Sequence, residues 1–234
     1  MPGLMSWEEM DWLFPDFEQT GLIYHGTQIE NLPSIFLRGL IPRLREDPEE
    51  HHETIYDALF RHRPAYIPDW VDPRKCIFGY MNKKRFMHVG QAAIGIRAEE
   101  PIAQRTWVGI TKFSDWLYSP EEAGYFETEQ LAEYYRKVIE PTCAETYWRL
   151  SLSFPDNLKI RHDLLLYTQG SLELLICLER IEPEFLSLQA VGVRHPHGPR
   201  PILREERISL FGAAEEKLLR GEDASNELSA IGGS

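Results

Sequence analysis

Residues 21–40 read Gly-Leu-Ile-Tyr-His-Gly-Thr-Gln-Ile-Glu-Asn-Leu-Pro-Ser-Ile-Phe-Leu-Arg-Gly-Leu. The β-rich run at the start of this stretch ends on a glycine and predicts a strand followed by a tight turn. A short helix follows, because Asn31 suits the N-cap, Pro33 suits the first turn and Gly39 suits the position after the last turn. Its apolar side is formed by residues at helical spacing, Leu32, Ile35 and Phe36. The stretch is therefore a unit of strand, turn, helix and turn.

Outside this unit, apolar runs predict further strands at Cys76–Met81, Thr106–Thr111, Tyr147–Phe154, Leu164–Tyr167 and Glu173–Leu178. Helical spacing predicts a helix over Glu121–Ile139, the start of another over Asn82–Val89 and a last one over Ser209–Arg220. The predicted face of the first of these helices is Leu131, Tyr134, Tyr135 and Val138. Two segments rich in Pro, Arg and His, 43–75 and 190–206, are predicted to be loops, the first with a weak helix signal at Thr54–Phe60. The pattern favours an α+β fold in which a mixed sheet carries most of the core.

The length of 234 residues is enough for one well-packed core, although two small domains would also fit. We predict an acidic and aromatic arm over residues 1–20, a single domain over 21–220 and a flexible tail over 221–234. The arm is interpreted first as structural and second as a partner-binding segment.

The charge of the chain limits its partners. Lys and Arg number 25 and Asp and Glu number 37, so the net charge is −12, and it would be −4 with all 8 His protonated. This balance excludes a polyanion-binding surface over the whole protein. Residues 38–88 hold ten bases and eight acids, a local charge of +2, so an anion site is expected there if anywhere.

The sequence also indicates the compartment. Its uncharged apolar runs are far shorter than the roughly 18–20 residues that cross a bilayer, and its acidic start does not resemble a secretory signal. We therefore predict a cytoplasmic protein without a membrane partner. Cys76, Cys143 and Cys177 are odd in number and widely spaced, so neither a disulfide scaffold nor structural zinc is expected. Cys76 and Cys177 are predicted to be inert core thiols. No metal site is predicted, since the histidines of His51-His52-Glu53 and His195-Pro-His197 lack convergent partners.

Three pieces of the chain together resemble a known family. They are Tyr24-His25-Gly26-Thr27 with its helix and Gly39-Leu40, the strand Cys76–Met81, and Gln169-Gly-Ser-Leu-Glu-Leu-Leu-Ile176. In this order the chain resembles the ADP-ribosyltransferase superfamily, in the branch whose NAD-binding residues read His, Tyr, Glu. The resemblance implies an α+β fold of the ADP-ribosyltransferase type, with a mixed, mainly antiparallel sheet core and flanking helices. YHGTQIENLPSIFLRGL and ELLICLERIEPEFL are most similar to segments of the DNA-modifying DarT toxins. The first segment also resembles the RNA 2′-phosphotransferases, which share the fold and use NAD.

The resemblance implies that NAD is a substrate and assigns roles to residues. Glu173 would be the catalytic carboxylate, accepting a hydrogen bond from a ribose hydroxyl and stabilising an oxocarbenium-like transition state. His25 would contact the adenosine ribose and the backbone of Gly26 the nicotinamide amide, while Thr27 supports the turn. Asn31 is counted with these cofactor-binding residues. The alternative for Glu173 is a surface acid on an edge strand.

Other roles are assigned with alternatives. Tyr80 is the first choice, and Phe78 the second, for the aromatic ring that stacks on nicotinamide. Arg43 and Arg45, and then Arg74, are candidates to bind pyrophosphate or acceptor, with solvated loop charges as the alternative.

In many members of the family, the residue two positions before the catalytic Glu helps to determine which acceptor is modified. Here that residue is Ser171, with Gln169 two positions further back, and we assign both to acceptor binding. Without an acid at Ser171, arginine modification is not expected. The acceptors that remain are a nucleobase, a nucleic-acid terminus, a small molecule, and a carboxylate or hydroxyl side chain.

The leading functional prediction is a toxin-like ADP-ribosyltransferase that modifies nucleic acid or another macromolecule, a protein acceptor included, through the face formed by residues 38–88. A neutralising antitoxin would then be a partner. The alternatives are an RNA 2′-phosphotransferase, which needs several cations around the 2′-phosphate, and a non-catalytic NAD-fold or protein-interaction module.

Overall fold

The computed structural model of the chain describes residues 20–42, 55–81, 89–110, 117, 127–158, 172–195 and 198–232. The chain forms two compact units, one from Met1–Ile41, Gly79–Ile102 and Leu178–Ser234, the other from Pro42–Phe78 and Ala103–Cys177. Both units are therefore assembled from separate parts of the sequence. The single domain over 21–220 stays a prediction.

Strands and helices are numbered in chain order. The strands are β1 (Leu22–Gln28), β2 (Ile77–Gly79), β3 (Gln91–Arg97), β4 (Thr106–Ile110), β5 (Leu152–Ser153), β6 (Leu172–Ile176), β7 (Leu186–His195) and β8 (Gly198–Leu203). The helices are α1 (Leu32–Arg38), α2 (Ile55–Arg61), α3 (Glu129–Tyr134), α4 (Glu140–Leu150), α5 (Ile208–Leu219) and α6 (Ser225–Gly232). A π-helical turn, Tyr135–Ile139, joins α3 to α4. The strands form antiparallel pairs, so the predicted α+β class is confirmed at this level.

The first unit is built on the sheet β1-β3-β7-β8, in which each neighbouring pair is antiparallel. Helix α5 packs against β7 and α1, and α6 packs against α5 and β7. The predicted strand and helix at residues 21–40 are confirmed as β1 and α1. Strand β1 continues through Gly26 to Gln28, so the turn comes later than predicted, as the 3₁₀ turn Ile29–Asn31. Gly39 has φ 90°, and a Cβ there would lie 2.5 Å from the carbonyl oxygen of Ile181. Only glycine fits this end of α1.

The second unit is built on the sheet β2-β6-β4-β5, with β4 antiparallel to both β5 and β6. Helix α4 packs on β4. The core below α4 is closed by Tyr147, Trp148 and Leu175, all fully buried. The indole N–H of Trp148 donates to the carbonyl of Leu59 in α2 at 2.8 Å, so α2 is fixed to α4 by a buried hydrogen bond as well as by packing.

Residues 121–126 of the helix predicted over Glu121–Ile139 lie outside the described residues, and the described helix differs from the prediction in its bounds. It begins at Glu129, where the Thr128 hydroxyl caps it by accepting from the Leu131 N–H, and helical structure continues to Leu150. In a regular α-helix the ring of Pro141 would clash with the carbonyl of Lys137. The π turn, which is wider than an α-helical turn, lies directly before the helix that contains Pro141.

The strand predicted over Tyr147–Phe154 is reduced to β5, because residues up to Leu150 are helical. The buried residues of α4 follow helical spacing and are Glu140, Cys143, Ala144, Tyr147 and Trp148. The predicted apolar face of the preceding helix also changes. Tyr135 is buried, whereas Leu131, Tyr134 and Val138 are 40–50% exposed. The short alternation from Tyr147 onwards concealed this longer helical period.

The loop predicted over residues 190–206 is also wrong, since β7 and β8 form a hairpin there. Pro199 and Pro201 misled the prediction. Both lie on β8, the edge strand of the sheet, where proline is tolerated because the outer N–H groups have no strand to bind. Strand β3 was not predicted, since its small residues give little β signal. The tail expected to be flexible contains α6, which buries Ile231.

Some predictions concern residues that the structure does not describe. Residues 1–19 of the predicted arm, residues 43–54 of the predicted loop, the strand Leu164–Tyr167 and residues 82–88 of the predicted helix Asn82–Val89 lie outside the described residues. The other strands and helices are confirmed with shifted ends, as α2, β2, β4, β6 and α5. Among the described residues, no helix has the length and apolar character needed to cross a bilayer.

The cysteine prediction is corrected by a disulfide between Cys76 and Cys177, 101 residues apart in sequence with a Cα–Cα distance of 4.5 Å. Cys76 directly precedes β2 and Cys177 directly follows β6, and these strands are neighbours in the sheet. Sequence spacing carries no information on that adjacency, so the two residues were interpreted as separate thiols. Cys143 is the buried free cysteine, and burial raises the pKa of its thiol.

The disulfide predicts a redox-dependent stability. Replacing both Cys76 and Cys177 by Ser should lower the free energy of unfolding by about 2–4 kcal/mol, because the unfolded chain regains the freedom of a long loop. Urea unfolding of the wild-type protein with a reductant should then match that of the double variant, whose own midpoint should not respond to reductant. Thiol counting should first show that the wild-type protein is fully reduced. If its unfolding midpoint is then unchanged, this prediction is contradicted.

Candidate functional site

Glu173 is the second residue of β6, which lies between β2 and β4. It is 4% exposed, among the few buried charged residues described. The alternative that it is a surface acid on an edge strand is therefore wrong. On the neighbouring strand, the residue opposite Glu173 is Gly109.

The Tyr147 hydroxyl donates a hydrogen bond of 2.7 Å to Glu173 Oε1, and both side chains are buried. Tyr147 comes from α4, and its ring occupies the space beside Gly109. A Cβ built on Gly109 would lie 2.1 Å from the Tyr147 hydroxyl oxygen. Three separate parts of the sequence therefore meet at one carboxylate.

Sequence reasoning missed Tyr147 and Gly109 as site residues. Tyr147 was assigned to a strand, although its spacing of four from Cys143 is also that of a helix face. That spacing was the available signal. Gly109 gave no signal of its own, since a glycine within a strand is interpretable only when its neighbour across the sheet is known.

The surroundings of Glu173 determine what its carboxylate can do. A carboxylate removed from water interacts more strongly with a nearby positive charge than one at the surface. The hydroxyl donor stabilises its ionised form without neutralising the charge. Such a group is suited to stabilising a cation that forms during a reaction.

In the first unit, the structure brings several predicted cofactor residues together. His25, Gly26 and Thr27 are consecutive half-buried residues of β1, paired with Ile94, Ala93 and Ala92 of β3. Asn31 does not cap α1 with its side chain, and its amide instead donates to the Thr27 hydroxyl at 3.2 Å. This contact ties the end of β1 to the turn that follows it.

Tyr80 lies on the other side of β1. Its N–H and carbonyl each make a 2.8 Å hydrogen bond with the backbone of Tyr24, the residue before His25. Tyr80 is therefore adjacent to the His25 segment, and its side chain is half-buried.

Phe78, the second choice for the nicotinamide ring, lies in the second unit. Its ring packs against Tyr56 with centroids 4.5 Å apart, at the margin of the core cluster. A ring already used in this packing has less of its surface available to a ligand.

Arg74 is engaged by its own neighbourhood. Its guanidinium donates to both carboxylate oxygens of Asp72, at 2.9 and 2.8 Å, and stacks 3.3 Å from the centroid of Phe60. Burial raises the pKa of Asp72, but the hydrogen bonds and charge of Arg74 outweigh burial and hold that pKa below its usual range. The same hydrogen bond raises the pKa of Arg74. Arg74 is thus paired, whereas Arg43, Arg45, Ser171 and Gln169 lie outside the described residues.

A second buried carboxylate belongs to Glu140 at the start of α4. Its Oε1 contacts His62 Nε2 at 2.8 Å and Arg61 Nε at 3.3 Å, both at the end of α2. This contact joins two helices. Within the described parts of the chain, no group of three or more His, Cys, Asp or Glu could hold a metal ion.

Comparisons with known proteins give no assignment, since the chain matches no protein-family model, no curated protein and no solved structure.

The Asp72–Arg74 pair predicts a pH-dependent stability. Because the pKa of Asp72 is lower in the folded than in the unfolded protein, its contribution is complete above the unfolded value of about 3.9 and is lost as the pH falls through the folded value. Asp72→Asn should lower the unfolding free energy by about 1 kcal/mol at pH 7. The difference from wild type should shrink between pH 5 and pH 3 in urea titrations.

Asp69→Asn is the matched control, since Asp69 pairs with Arg63 from a fully exposed position. Its effect should be much smaller at every pH. A D72N deficit that grows as the pH falls would have the wrong sign for this explanation.

Proposed function

We propose that the protein is an NAD-dependent ADP-ribosyltransferase that transfers ADP-ribose to a nucleic acid or another macromolecule, in the manner of the DarT-like toxins it resembles. The observation that supports this proposal most directly is the Glu173 carboxylate, buried on an interior strand and held by the Tyr147 hydroxyl. The antiparallel sheets are compatible with an ADP-ribosyltransferase fold, which is part of the same proposal.

The proposed reaction breaks the bond between nicotinamide and ribose. Nicotinamide leaves with the bonding electron pair, and positive charge develops on the ribose as in glycoside cleavage. Glu173 would attract that charge and accept a hydrogen bond from a ribose hydroxyl. A lone pair of the acceptor then forms the new bond to the ribose carbon, and the acceptor releases its proton to solvent.

The family resemblance also assigns contacts to NAD. His25 would bind the adenosine ribose and the Gly26 backbone the nicotinamide amide, with Thr27 supporting the turn and Asn31 counted among the cofactor-binding residues. The position of Tyr80 next to Tyr24 supports Tyr80 as the ring that stacks on nicotinamide. These roles follow from the family resemblance.

Nucleic acid is the leading acceptor, with a protein acceptor as the second choice and a neutralising antitoxin as a further partner. Within the described part of residues 38–88, Arg61, Arg63 and Arg74 each pair with an acid. Acceptor binding would therefore need those pairs to open or other cations to contribute. The engagement of Arg74 by Asp72 also removes support from the RNA 2′-phosphotransferase alternative, which needs unpaired cations. The proposed compartment is the cytoplasm.

Glu173→Gln tests the proposed function. Gln keeps the shape of the side chain and an oxygen that can accept from Tyr147, but it removes the charge. The rate of nicotinamide release from NAD should fall by at least about 100-fold, the loss typical of one transition-state electrostatic partner. Circular dichroism and thermal unfolding should show that the variant remains folded.

Glu145→Gln is the matched control, because Glu145 is an exposed residue of α4 in the same unit. Its rate should equal that of wild type. A folded E173Q variant with full rate would refute the catalytic role of Glu173.

Labelled NAD identifies the acceptor. After incubation with single-stranded DNA, RNA and a protein mixture, label in a nucleic-acid fraction supports the leading proposal, and label in protein shifts the acceptor class. ADP-ribose cyclic phosphate formed only with 2′-phosphorylated RNA would instead identify a phosphotransferase. No binding of NAD would leave the interaction-module alternative.

A further inference from the structure

The site around Glu173 contains two residues that the resemblance does not assign, Tyr147 and Gly109. We propose that Tyr147 is a positioning residue that fixes the Glu173 carboxylate, and that Gly109 keeps open the space through which its hydroxyl reaches that carboxylate. The catalytic consequence rests on the proposed function, whereas the contact itself does not.

Tyr147 is held rigidly enough for this role. Its ring makes an edge-on contact with Trp148, with centroids 5.2 Å apart and an angle of 89° between the planes. Both side chains are fully buried, and Trp148 is anchored by its hydrogen bond to Leu59. The hydroxyl therefore has a position set by α4 and α2 before any ligand binds.

Gly109 explains how the hydroxyl reaches the strand. The three atoms nearest to a Cβ at this position all belong to Tyr147, at 2.1, 2.3 and 2.7 Å. Real Cβ atoms do not approach other atoms so closely, so any larger residue would push the ring away. Glycine weakens a strand interior, and here the close approach of the Tyr147 ring accounts for it.

Tyr147 and Gly109 together fix the orientation of the Glu173 carboxylate. A free carboxylate samples several rotamers, and each must be lost when a ribose hydroxyl binds. With Oε1 held by Tyr147, that ordering is completed in the fold, which is the requirement for a preorganised electrostatic partner. The hydroxyl donor also favours the ionised form, the one able to stabilise a cation.

Tyr147→Phe is the sharpest test, because it removes one oxygen and keeps the ring against Trp148. The kcat for nicotinamide release should fall about tenfold, equivalent to the loss of one net hydrogen bond, while the KM for NAD changes by less than about twofold. The acidic limb of the rate profile should move to higher pH, because the ionised form of Glu173 loses the hydrogen bond from the Tyr147 hydroxyl.

The matched control is Tyr134→Phe, the same substitution at a residue that is 50% exposed in α3. Its kcat and pH profile should equal those of wild type. If Y147F retains the wild-type kcat and pH profile while E173Q is inactive, the positioning role is refuted and the proposed function stands.

A measurement without activity separates the two proposals further. In protein with ¹³C-labelled glutamate, assigned by comparison with E173Q, the carboxyl resonance of Glu173 should titrate at a higher pH in Y147F than in wild type or Y134F. An unchanged midpoint overturns the positioning proposal whatever the enzymatic result. A shifted midpoint in a protein that does not consume NAD confirms the contact and refutes the proposed function.

Gly109→Ala tests the second half of the proposal. The added methyl should displace the Tyr147 ring, so the Glu173 titration midpoint should move in the direction seen in Y147F, with a lower thermal unfolding temperature. Gly212→Ala in α5 is the control, since its Cβ would meet no atom within 4 Å and alanine favours a helix. A stable G109A variant with a wild-type Glu173 titration would refute the role of Gly109.

Discussion

A carboxylate buried inside a sheet must find in the protein the hydrogen bonds that it loses in water. In the second unit this requirement falls on Glu173, and the hydroxyl of Tyr147 meets it from a helix above the sheet. An ionised group left without such a donor would cost several kcal/mol. The requirement therefore couples the register of β4 and β6 to the position of α4. A slip of one residue in β6 would turn Glu173 to the other face, and a slip in β4 would remove Gly109 from its place opposite Glu173.

Polar contacts also shape the segment after α2, beside the buried side chains of Ile67 and Val71. The Arg63 guanidinium donates to the backbone carbonyls of Asp69 and Val71 at 2.9 and 3.0 Å, and Arg74 closes on Asp72. Glu140 ties the end of α2 to α4 through Arg61 and His62. These arginines thus stabilise an irregular chain segment, and the slightly positive local charge of the sequence is not by itself evidence of a binding surface.

Local sequence signals were sufficient to predict a strand or helix whose identifying residues all lie within it. The strand and helix at residues 21–40 were predicted because their caps and turn residues lie within the elements themselves. The hairpin of β7 and β8 was missed, because the meaning of its prolines depends on β8 being an edge strand. Helix α4 was missed in part because a π turn allows the helix to continue across Pro141, against the usual effect of proline.

In the candidate site too, some residues could be identified from local sequence, and others only from the fold. Glu173 and the residues around His25 were identified from motifs that are contiguous in sequence. The pairing of Glu173 with Tyr147, the space left at Gly109 and the bond between Cys76 and Cys177 depend on which strands and helices are neighbours. Such contacts join residues far apart in the chain, and composition or periodicity within one segment contains no record of them.

The disulfide has one further consequence for the integrity of this site. It closes a covalent ring from Cys76 to Cys177, and Gly109, Tyr147 and Glu173 all lie on that ring. A protease that cuts the ring once opens it without releasing a fragment. The strand with the glycine, the helix with the tyrosine and the strand with the carboxylate would remain parts of one molecule after such a nick, until a reductant separated the pieces.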